Sequence, residues 1–206
     1  ILLDQSEHNL FNIDRECSNN KHPVSFKPIL GDIRDKALLH RLFSSFKPDV
    51  VFHAAAYKHV PMQEEHPWEA VFTNIQGTLN LMDVSEDYGV DRFVLVSTDK
   101  AVNPTNIMGA TKRVAEKLIQ SKSIDSKVKY MAVRFGNVIG SSGSVIPTFQ
   151  EQIRNGGPVT ITNSKMQRYF MSISEAAQLI LQAGAMGSGG EVYVLDMGKP
   201  VNIKDI

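Results

Sequence analysis

The chain has 206 residues, and its 22 basic and 22 acidic side chains give a formal net charge of zero. The composition, 42% hydrophobic and 21% charged, is that of an ordinary globular protein, and the balanced charge argues against binding to nucleic acid or to an anionic membrane surface. The single cysteine, Cys17, excludes an internal disulfide and a cysteine-cluster metal site and fits a reducing compartment, and no apolar run approaches the ~18 residues that span a bilayer.

Short apolar segments along the chain predict β-strands. They are ILLD (1–4), VSFKPIL (24–30), VVFHAAA (50–56), RFVLVST (92–98), VKYMAVRF (128–135) and EVYVLDM (191–197). Because these segments are apolar on consecutive residues, they favour a parallel sheet that is covered on both faces.

Longer segments with helical periodicity lie between these strands. Residues 67–89 begin with Pro67, which suits a first turn. They carry one apolar stripe: Trp68, Val71, Phe72, Ile75, Leu79 and Met82. Residues 106–122 predict a second helix, with Thr105 or Asn106 as its N-cap. The alternation of strands and helices predicts an α/β fold with a doubly wound parallel sheet, in which ligands bind beyond the carboxyl ends of the strands.

The pattern changes near Asn137, where the sequence becomes rich in Gly, Ser and Pro. We therefore predict a dinucleotide-binding, Rossmann-like domain over residues 1–137. Residues 138–206 are predicted to form a small, loop-rich substrate lobe, with one strand near 192–196 returning to the sheet.

Acidic residues end two of the predicted strands. In a dinucleotide fold, an acid such as Asp4 at the end of a strand accepts hydrogen bonds from the adenosine ribose, and Asp32 is placed to meet the adenine edge. Each residue alone is also explained by a turn or a helix N-cap. For Asp32 we favour capping of the helix that begins near Asp35.

The segment HAAAYKHVP (53–61) follows the third strand. Its three alanines leave room for a flat ligand, and Lys58 is placed to reach an anionic or hydroxyl group. Tight packing of a helix on the sheet also explains the alanines, but we favour the ligand. Asn74 and Gly77 are poor helix formers within a predicted helix; they indicate a buried polar bond or the close approach of another segment, and for Gly77 we favour packing.

Residues 98–112 read TDKAVNPTNIMGATK and follow a buried strand, where a parallel sheet presents its ligands. A solvated turn explains Asp99 and Lys100 taken alone, but it is a poor explanation of Thr98, Asp99 and Lys100 in this order together with the helix that follows. Met108 and Lys112 are four residues apart and share a helix face. A lysine there can hold a nicotinamide ribose and lower the pKa of a neighbouring hydroxyl, whereas methionine cannot exchange a proton.

Further polar groups follow the next strand. Arg134 and Asn137 end it, and GSSGSVIP (140–147) offers backbone N–H groups suited to a pyrophosphate. Arg168 has a guanidinium suited to phosphate oxygens. Each feature alone is weak evidence, since a Gly-Ser loop is usually only a loop. The histidines, His53 among them, show no paired metal-ligand spacing, so we interpret them as surface or packing residues and predict no metal site.

These motifs resemble the extended short-chain dehydrogenase/reductase superfamily, and more closely the UDP-N-acetylglucosamine 4,6-dehydratases of bacterial polysaccharide and glycan biosynthesis. The resemblance covers nearly the whole chain, and STDKAVNPTN is its most specific part. It extends over LLDQSE, GDIRD, VVFHAAAYKHVP, TNIQGTLN, VLVSTDKAVNPTNIMGATK, VRFGNVIGSSGSVIP, GGPVTIT and RYFMSI.

The resemblance implies a lyase that converts UDP-N-acetylglucosamine, or a close UDP-HexNAc, to a UDP-4-keto-6-deoxy sugar. Oxidation at C4 acidifies the C5 proton, water is eliminated across C5 and C6, and the hydride returns to C6. Lys100 is the implied base at C5 and Asp99 the implied acid at C6. Thr98 is expected to bond near the C4 oxygen, and Lys112 to hold the cofactor ribose.

The remaining family positions map as follows. The cofactor, NAD with NADP as the alternative, is expected to contact Asp4, Asp32, Ile33, Ala54, Ser97, Lys112 and Val138. The UDP-sugar is expected to contact Lys58, Asn137, Ser144, Val145 and Arg168. Asp4 favours NAD, because it can accept bonds from the ribose hydroxyls.

Two features depart from the family pattern. The first strand and the glycine-rich turn, G-x-x-G-x-x-G, are absent, because the sequence begins at what corresponds to the second strand. Met108 occupies the position of the usual tyrosine, a variant known chiefly in large members with an N-terminal membrane region. Without a tyrosine, a water, Lys112 or the Asp99–Lys100 pair must accept the C4 hydroxyl proton.

Two alternatives stay open. One is a UDP-sugar 4-epimerase, which needs the tyrosine and has no use for Asp99 and Lys100. The other is a nucleotide-sugar-binding domain without catalysis. The resemblance further implies a homo-oligomer, since helices like those at 67–89 and 107–122 pair across dimers in relatives. It also implies a cytoplasmic location without membrane contact by this chain, with anchoring of a longer parent at the cytoplasmic face as an option.

Overall fold

A computed structural model describes residues 1–19, 24–141, 145–161, 163 and 165–206. Its strands are β1 (Leu2–Asp4), β2 (Pro28–Leu30), β3 (Val50–His53), β4 (Arg92–Thr98), β5 (Lys129–Phe135), β6 (Asn137–Val138), β7 (Gln167–Arg168), β8 (Phe170–Met171), β9 (Val192–Val194) and β10 (Val201–Asn202). Its α-helices are α1 (Glu7–Ser18), α2 (Lys36–Phe46), α3 (Val60–Glu65), α4 (Pro67–Ala70), α5 (Thr78–Asp87), α6 (Ile107–Lys122), α7 (Val145–Arg154) and α8 (Ile173–Met186).

A four-stranded parallel sheet lies at the centre, in the order β3-β4-β5-β9. Strands β4 and β5 pair along their whole length, from Arg92 opposite Lys129 to Thr98 opposite Phe135. Their carboxyl ends are therefore level, and residues that follow both strands emerge side by side. The parallel α/β architecture predicted from the sequence is confirmed.

Strands β1 and β2 form a separate parallel pair. Within the described residues neither strand pairs with β3. A cavity of about 480 Å³ is lined by residues of β1 and β3 and of the loops that follow them. The cavity therefore lies between the two parallel sheets.

Both faces of the sheet are buried along β4 and β5, as the apolar runs predicted, whereas Phe52 of β3 and Val194 of β9 are 46% and 73% exposed. On one face Phe93 and Leu95 pack with Met82 and Ile119 of helices α5 and α6. On the other face Val94 belongs to a second apolar cluster that includes residues of α8. Each large apolar side chain buried in this way contributes roughly 1.5–3 kcal/mol.

The predicted helix over residues 67–89 is present but not uniform. Helix α4 is followed by a π-helical section, Val71–Gly77, and then by α5. The predicted stripe is only partly buried: Met82 is fully buried, whereas Trp68 and Phe72 stack on each other with 70% and 48% of their surface exposed. Packing explains Gly77, because a Cβ there would lie 2.6 Å from the Ile33 side chain.

Helix α6 begins where the sequence predicted. The Asn106 side chain accepts a hydrogen bond from the Gly109 N–H at 2.8 Å, so Asn106 and not Thr105 is the N-cap. Helix α8, which the sequence analysis did not identify, is capped by Ser172. No helix of the described ranges is long and apolar enough to cross a membrane.

Beyond β5 the chain forms short paired strands, β6 with β8 and β7 with β10, and returns to the main sheet as β9. Strand β9 falls within the predicted 192–196 segment. The division of the chain at residues 137 and 138 stays a prediction.

Candidate active site

The first group of the site follows the carboxyl end of β4. Thr98 ends the strand, and Asp99 and Lys100 begin a 3-10 turn that extends to Ala101. The Thr98 hydroxyl donates to Asp99 Oδ1 at 2.9 Å and accepts from the Lys100 N–H at 3.3 Å. Lys100 Nζ lies 3.0 Å from the same Asp99 oxygen. The Asp99 and Lys100 side chains are 40% and 31% exposed, so an acid and a base meet at a solvent-accessible edge.

Asn137 joins this group from the start of β6, two residues after the end of β5. Lys100 Nζ donates to Asn137 Oδ1 at 3.4 Å. The contact is possible because β4 and β5 end level with each other. Lys100 therefore lies between a carboxylate and an amide oxygen that come from two different strand ends.

Met108 and Lys112 lie on the buried face of α6, with 4% and 5% exposure. The start of this helix lies against the backbone of the cluster, since a Cβ on Gly109 would be 2.3 Å from the Lys100 carbonyl oxygen. Burial lowers the pKa of Lys112 to about 8, and the negative charge of Glu116 opposes this shift.

His53, a residue that the sequence analysis assigned to the surface or to packing, is buried at the end of β3. Burial, together with the charge of Lys112, lowers the pKa of His53 to about 3. Its Nε2 lies 2.8 Å from the Thr78 hydroxyl, which itself donates to the Asn74 carbonyl at 2.7 Å. His53 is therefore neutral and donates to Thr78.

Glu116 is the main residue that the sequence analysis missed. It is fully buried and accepts bonds from Ser97, Arg113 and Arg134. Burial raises its pKa, but these bonds outweigh that effect and lower the pKa overall. The helical spacing 108, 112, 116 is the signal that places Glu116 on the same face as Met108 and Lys112.

The cavity between β1 and β3 contains four of the predicted cofactor positions: Asp4, Asp32, Ile33 and Ala54. Asp4 Oδ1 accepts the Ser6 N–H at 2.7 Å, and Ser6 rather than Asp4 caps α1. The cavity also includes Thr73, whose buried hydroxyl has no hydrogen-bond partner among the described residues.

Asp32 does not cap the following helix, so that interpretation was wrong. Asp35 is the N-cap and accepts from the Leu38 N–H at 2.9 Å. Asp32 instead accepts from the backbone and the side chain of Arg34, at 2.8 and 2.7 Å. Burial raises the pKa of Asp32, but the bonds from Arg34 outweigh it and lower the pKa overall.

Lys58 lies in the loop after β3, and burial lowers its pKa. Asn74 holds this loop: its Oδ1 accepts from the Tyr57 N–H at 2.8 Å, and its Nδ2 donates to the Tyr57 carbonyl at 3.0 Å. The same Nδ2 donates to Thr111 of α6 at 3.0 Å. The buried polar bond that the sequence indicated for Asn74 is therefore present.

The remaining predicted positions are more dispersed. Val138 pairs with Met171 in the β6–β8 ladder, and Val145 begins α7. Arg168 lies in β7, where its Nη1 donates to the Gln167 carbonyl at 2.8 Å. Ser144 lies outside the described residues. In the parts of the chain that the structure describes, no group of three or more His, Cys, Asp or Glu side chains is placed to hold a metal.

A family model described as "Polysaccharide biosynthesis protein" matches residues 1–206. The chain belongs to this family. It is 52% identical over 208 residues to the capsular polysaccharide biosynthesis protein CapD of Staphylococcus aureus, of which it spans 35% of the length. The chain thus covers about a third of that curated relative.

Other relatives of the chain have more specific names. A UDP-N-acetylglucosamine 4,6-dehydratase (inverting) of Campylobacter jejuni is 38% identical over 80% of this chain and 50% of the relative. A UDP-glucose 4-epimerase of Rickettsia rickettsii is 35% identical over 94% of this chain and 58% of the relative. Relatives therefore include both nucleotide-sugar dehydratases and epimerases.

Solved structures share the fold. The structure of Pen from Bacillus thuringiensis has a TM-score of 0.90 and 37% identity, covering 98% of this chain and 62% of that one. The NAD-bound dTDP-glucose 4,6-dehydratase DesIV of Streptomyces venezuelae has a TM-score of 0.86, with 23% identity over 98% of this chain and 67% of that one. At that identity the likeness is one of fold.

Proposed function

We propose that the protein is a nucleotide-sugar 4,6-dehydratase that acts on UDP-N-acetylglucosamine or a close UDP-HexNAc and supplies bacterial surface polysaccharide synthesis. The contact between Lys100 Nζ and Asp99 Oδ1, at 3.0 Å, carries this proposal. Elimination of water needs a base at one carbon and an acid at the neighbouring hydroxyl, and this pair offers both at a solvent-accessible sheet edge. The product is a UDP-4-keto-6-deoxy sugar.

The cavity between β1 and β3 fits the adenosine half of NAD. Asp4 is suited to the ribose hydroxyls, Ala54 leaves space for a flat ring, and the buried Thr73 hydroxyl offers an unused hydrogen bond. When bound, NAD supplies hydride acceptance from C4 and hydride return to C6. Asp4 favours NAD over NADP, because its carboxylate would repel a 2′-phosphate.

The chain's own residues perform the proton transfers. The proton that Lys100 Nζ shares with Asp99 Oδ1 first passes to Asp99. Neutral Lys100 then removes the C5 proton, which is acidified by the C4 ketone, and protonated Asp99 gives its proton to the departing C6 hydroxyl. Thr98 donates near the C4 oxygen, and Lys112 binds the cofactor ribose. Met108 has no ionisable group, so the C4 hydroxyl proton goes to a water, to Lys112 or to the Asp99–Lys100 pair.

The remaining predicted positions are proposed as further ligand contacts. Asp32, Ile33, Ser97 and Val138 are assigned to the cofactor or its junction with the sugar. The substrate positions are Lys58, Asn137, Ser144, Val145 and Arg168. The Asn74 side chain holds the backbone at Tyr57, which supports a fixed position for the loop that carries Lys58.

A 4-epimerase is the second candidate, because a UDP-glucose 4-epimerase is 35% identical over most of the chain. An epimerase returns the hydride to C4 and needs no acid and base for the C5–C6 bond. The paired Asp99 and Lys100 therefore favour the dehydratase.

We further propose a cytoplasmic homo-oligomer. Trp68 and Phe72 stack on the surface with large exposed areas, and Val114 of α6 is 41% exposed. Exposed aromatic pairs of this kind are typical of protein–protein contact sites. The oligomer is checked by light scattering of the wild-type protein and of a Trp68→Glu variant, which should have a lower mass.

Incubation of the full-length protein with UDP-N-acetylglucosamine and NAD, followed by mass spectrometry, tests the proposed function. Loss of one water supports the dehydratase. An unchanged mass with a new C4 epimer would assign an epimerase, and binding without either product would indicate a binding domain. Lys100→Met should abolish water loss, whereas Lys117→Met, on the exposed side of α6, is the matched control and should retain it.

A further inference from the structure

A buried carboxylate connects the elements that carry the site. Glu116 lies one helical turn after Lys112 in α6 and has no exposed surface. Its Oε1 accepts from Ser97 Oγ at 2.7 Å and from Arg134 Nε at 2.6 Å. Its Oε2 accepts from Arg134 Nη2 and, at 3.1 Å, from Arg113 Nη1. All the acceptor positions of the carboxylate are thus used.

The partners of Glu116 lie directly beneath the proposed catalytic residues. Ser97 and Arg134 face each other in the β4–β5 ladder. Ser97 immediately precedes Thr98, and Arg134 comes three residues before Asn137. Glu116 therefore fixes the carboxyl ends of both strands to each other and to the helix that carries Met108 and Lys112.

We propose that Glu116 is a positioning residue for the dehydration proposed above, holding the Thr98–Lys100 turn and Asn137 at their mutual distances. The proposal rests on that proposed function. Two observations carry it: the bidentate contact with Arg134, which fixes direction as well as distance, and the contact of Lys100 Nζ with Asn137 Oδ1, which spans the two strand ends.

Stability alone does not require this arrangement. A buried ion pair can often be replaced by well-packed hydrophobic side chains of similar volume without loss of stability. A neutral pair does not reproduce the bidentate contact that aligns β4, β5 and α6 with one another. The role of Glu116 is therefore tested with a variant that keeps the stability of the fold but loses this alignment.

The test uses the double variant Glu116→Gln/Arg134→Met in the full-length protein. The amide introduced by Glu116→Gln is expected to keep an acceptor for Ser97, and the buried charges are removed together. We expect a thermal midpoint close to that of the wild type and a KM for UDP-N-acetylglucosamine within about threefold. We expect kcat for water loss to fall about 10²-fold, because a small misplacement of reacting groups lowers a rate by about that factor.

The matched control is Asp91→Asn/Lys129→Met. This ion pair, with Lys129 Nζ 3.1 Å from Asp91 Oδ1, joins the amino ends of the same two strands. It should leave kcat within about twofold of the wild type. If the double variant at Glu116 folds poorly, Arg134→Lys keeps the charge but loses the planar fork; it should fold and lower kcat about tenfold with little change in KM.

The outcomes are distinct. A folded double variant with wild-type kcat, or an Arg134→Lys variant with wild-type kcat, overturns the positioning role. An equal loss in the control pair would also overturn it, because any disturbance of the strands would then suffice. If the wild-type protein itself releases no water, the proposed function fails, and the role of Glu116 in dehydration fails with it.

Discussion

Two lysine–carboxylate sets lie within this site, and they differ mainly in their access to solvent. Lys100 and Asp99 form an ion pair at the sheet edge, with 31% and 40% of their side chains exposed. Lys112 and Glu116 lie one turn apart on the buried face of α6. A lysine and a carboxylate therefore occur together once at a solvent-accessible sheet edge and once on the buried face of α6.

The difference in solvent access indicates that the two sets have different roles. A pair that meets solvent can exchange protons with a substrate and recover them from water. A buried set is held by fixed partners: Glu116 by Ser97 and Arg134, and Lys112 by packing that shifts its pKa. We infer that the exposed pair performs the elimination and that the buried set holds it in place.

The largest effect is expected at the exposed pair. Lys100→Met and Asp99→Asn should each lower kcat for water loss by about 10²–10⁴-fold, because each removes a proton-transfer group. The free energy of unfolding should change by less than about 1 kcal/mol, since exposed ion pairs contribute little. Rate assays and denaturant titration measure both. Retained activity in Lys100→Met would remove the base from the mechanism.

For Lys112→Met we expect lower activity together with higher stability. Loss of the ribose contact should lower kcat/KM by about 10²-fold. The protein should become more stable at pH 7, because folding lowers the pKa of Lys112 and the buried charge is therefore destabilising below pH 8. Denaturant midpoints compared with those of Lys117→Met check this result, and a lower midpoint for Lys112→Met would contradict it.

The pH profile sharpens the role of Lys112. Its pKa of about 8 means that the ammonium form is lost as the pH rises through 8. If Lys112 acts as a cation, kcat/KM should fall about tenfold for each pH unit above that value. In Lys112→Arg the fall should disappear, since arginine stays protonated. A rate that rises through pH 8 would instead assign Lys112 as the base for the C4 hydroxyl.

A smaller effect is expected from His53, which is neutral in the folded protein. Its folded pKa of about 3 lies below the unfolded value of 6.5, so the unfolded state binds the proton more readily and stability is lost as the pH falls below 6.5. Between pH 7 and 5 this loss is about 2 kcal/mol. Denaturant unfolding at both pH values should show a smaller loss for His53→Gln than for the wild type or for His8→Gln. Equal losses in all three proteins would contradict burial of His53.

Local sequence patterns predicted the central strands and helix α6 well. The apolar runs gave the central strands, and the four-residue spacing correctly placed Met108 and Lys112 on one buried face. Asn106 was one of two proposed caps for α6. These features depend on residues that are near one another in the sequence, so their pattern is visible without the fold.

Contacts between distant residues were not predictable in the same way. Asn74 bonds to Tyr57, 17 residues away, and the π-helical section around it has no separate sequence signal. Glu116 read as an ordinary helical residue because Ser97 and Arg134 reach it only through the sheet register. Asp32 was misjudged because Asp35, equally suited to capping, lies where α2 begins.

The contact of Gly109 with Lys100 has a consequence for mutational scans. The carbonyl oxygen of Lys100 occupies the space that a Cβ at position 109 would need. Alanine scanning is designed to find side chains whose removal matters, and here the substitution adds an atom instead. If only lost contacts are considered, Gly109→Ala is expected to have a mild effect. We instead expect the added methyl group to push the helix with Met108 and Lys112 away from the proposed catalytic turn.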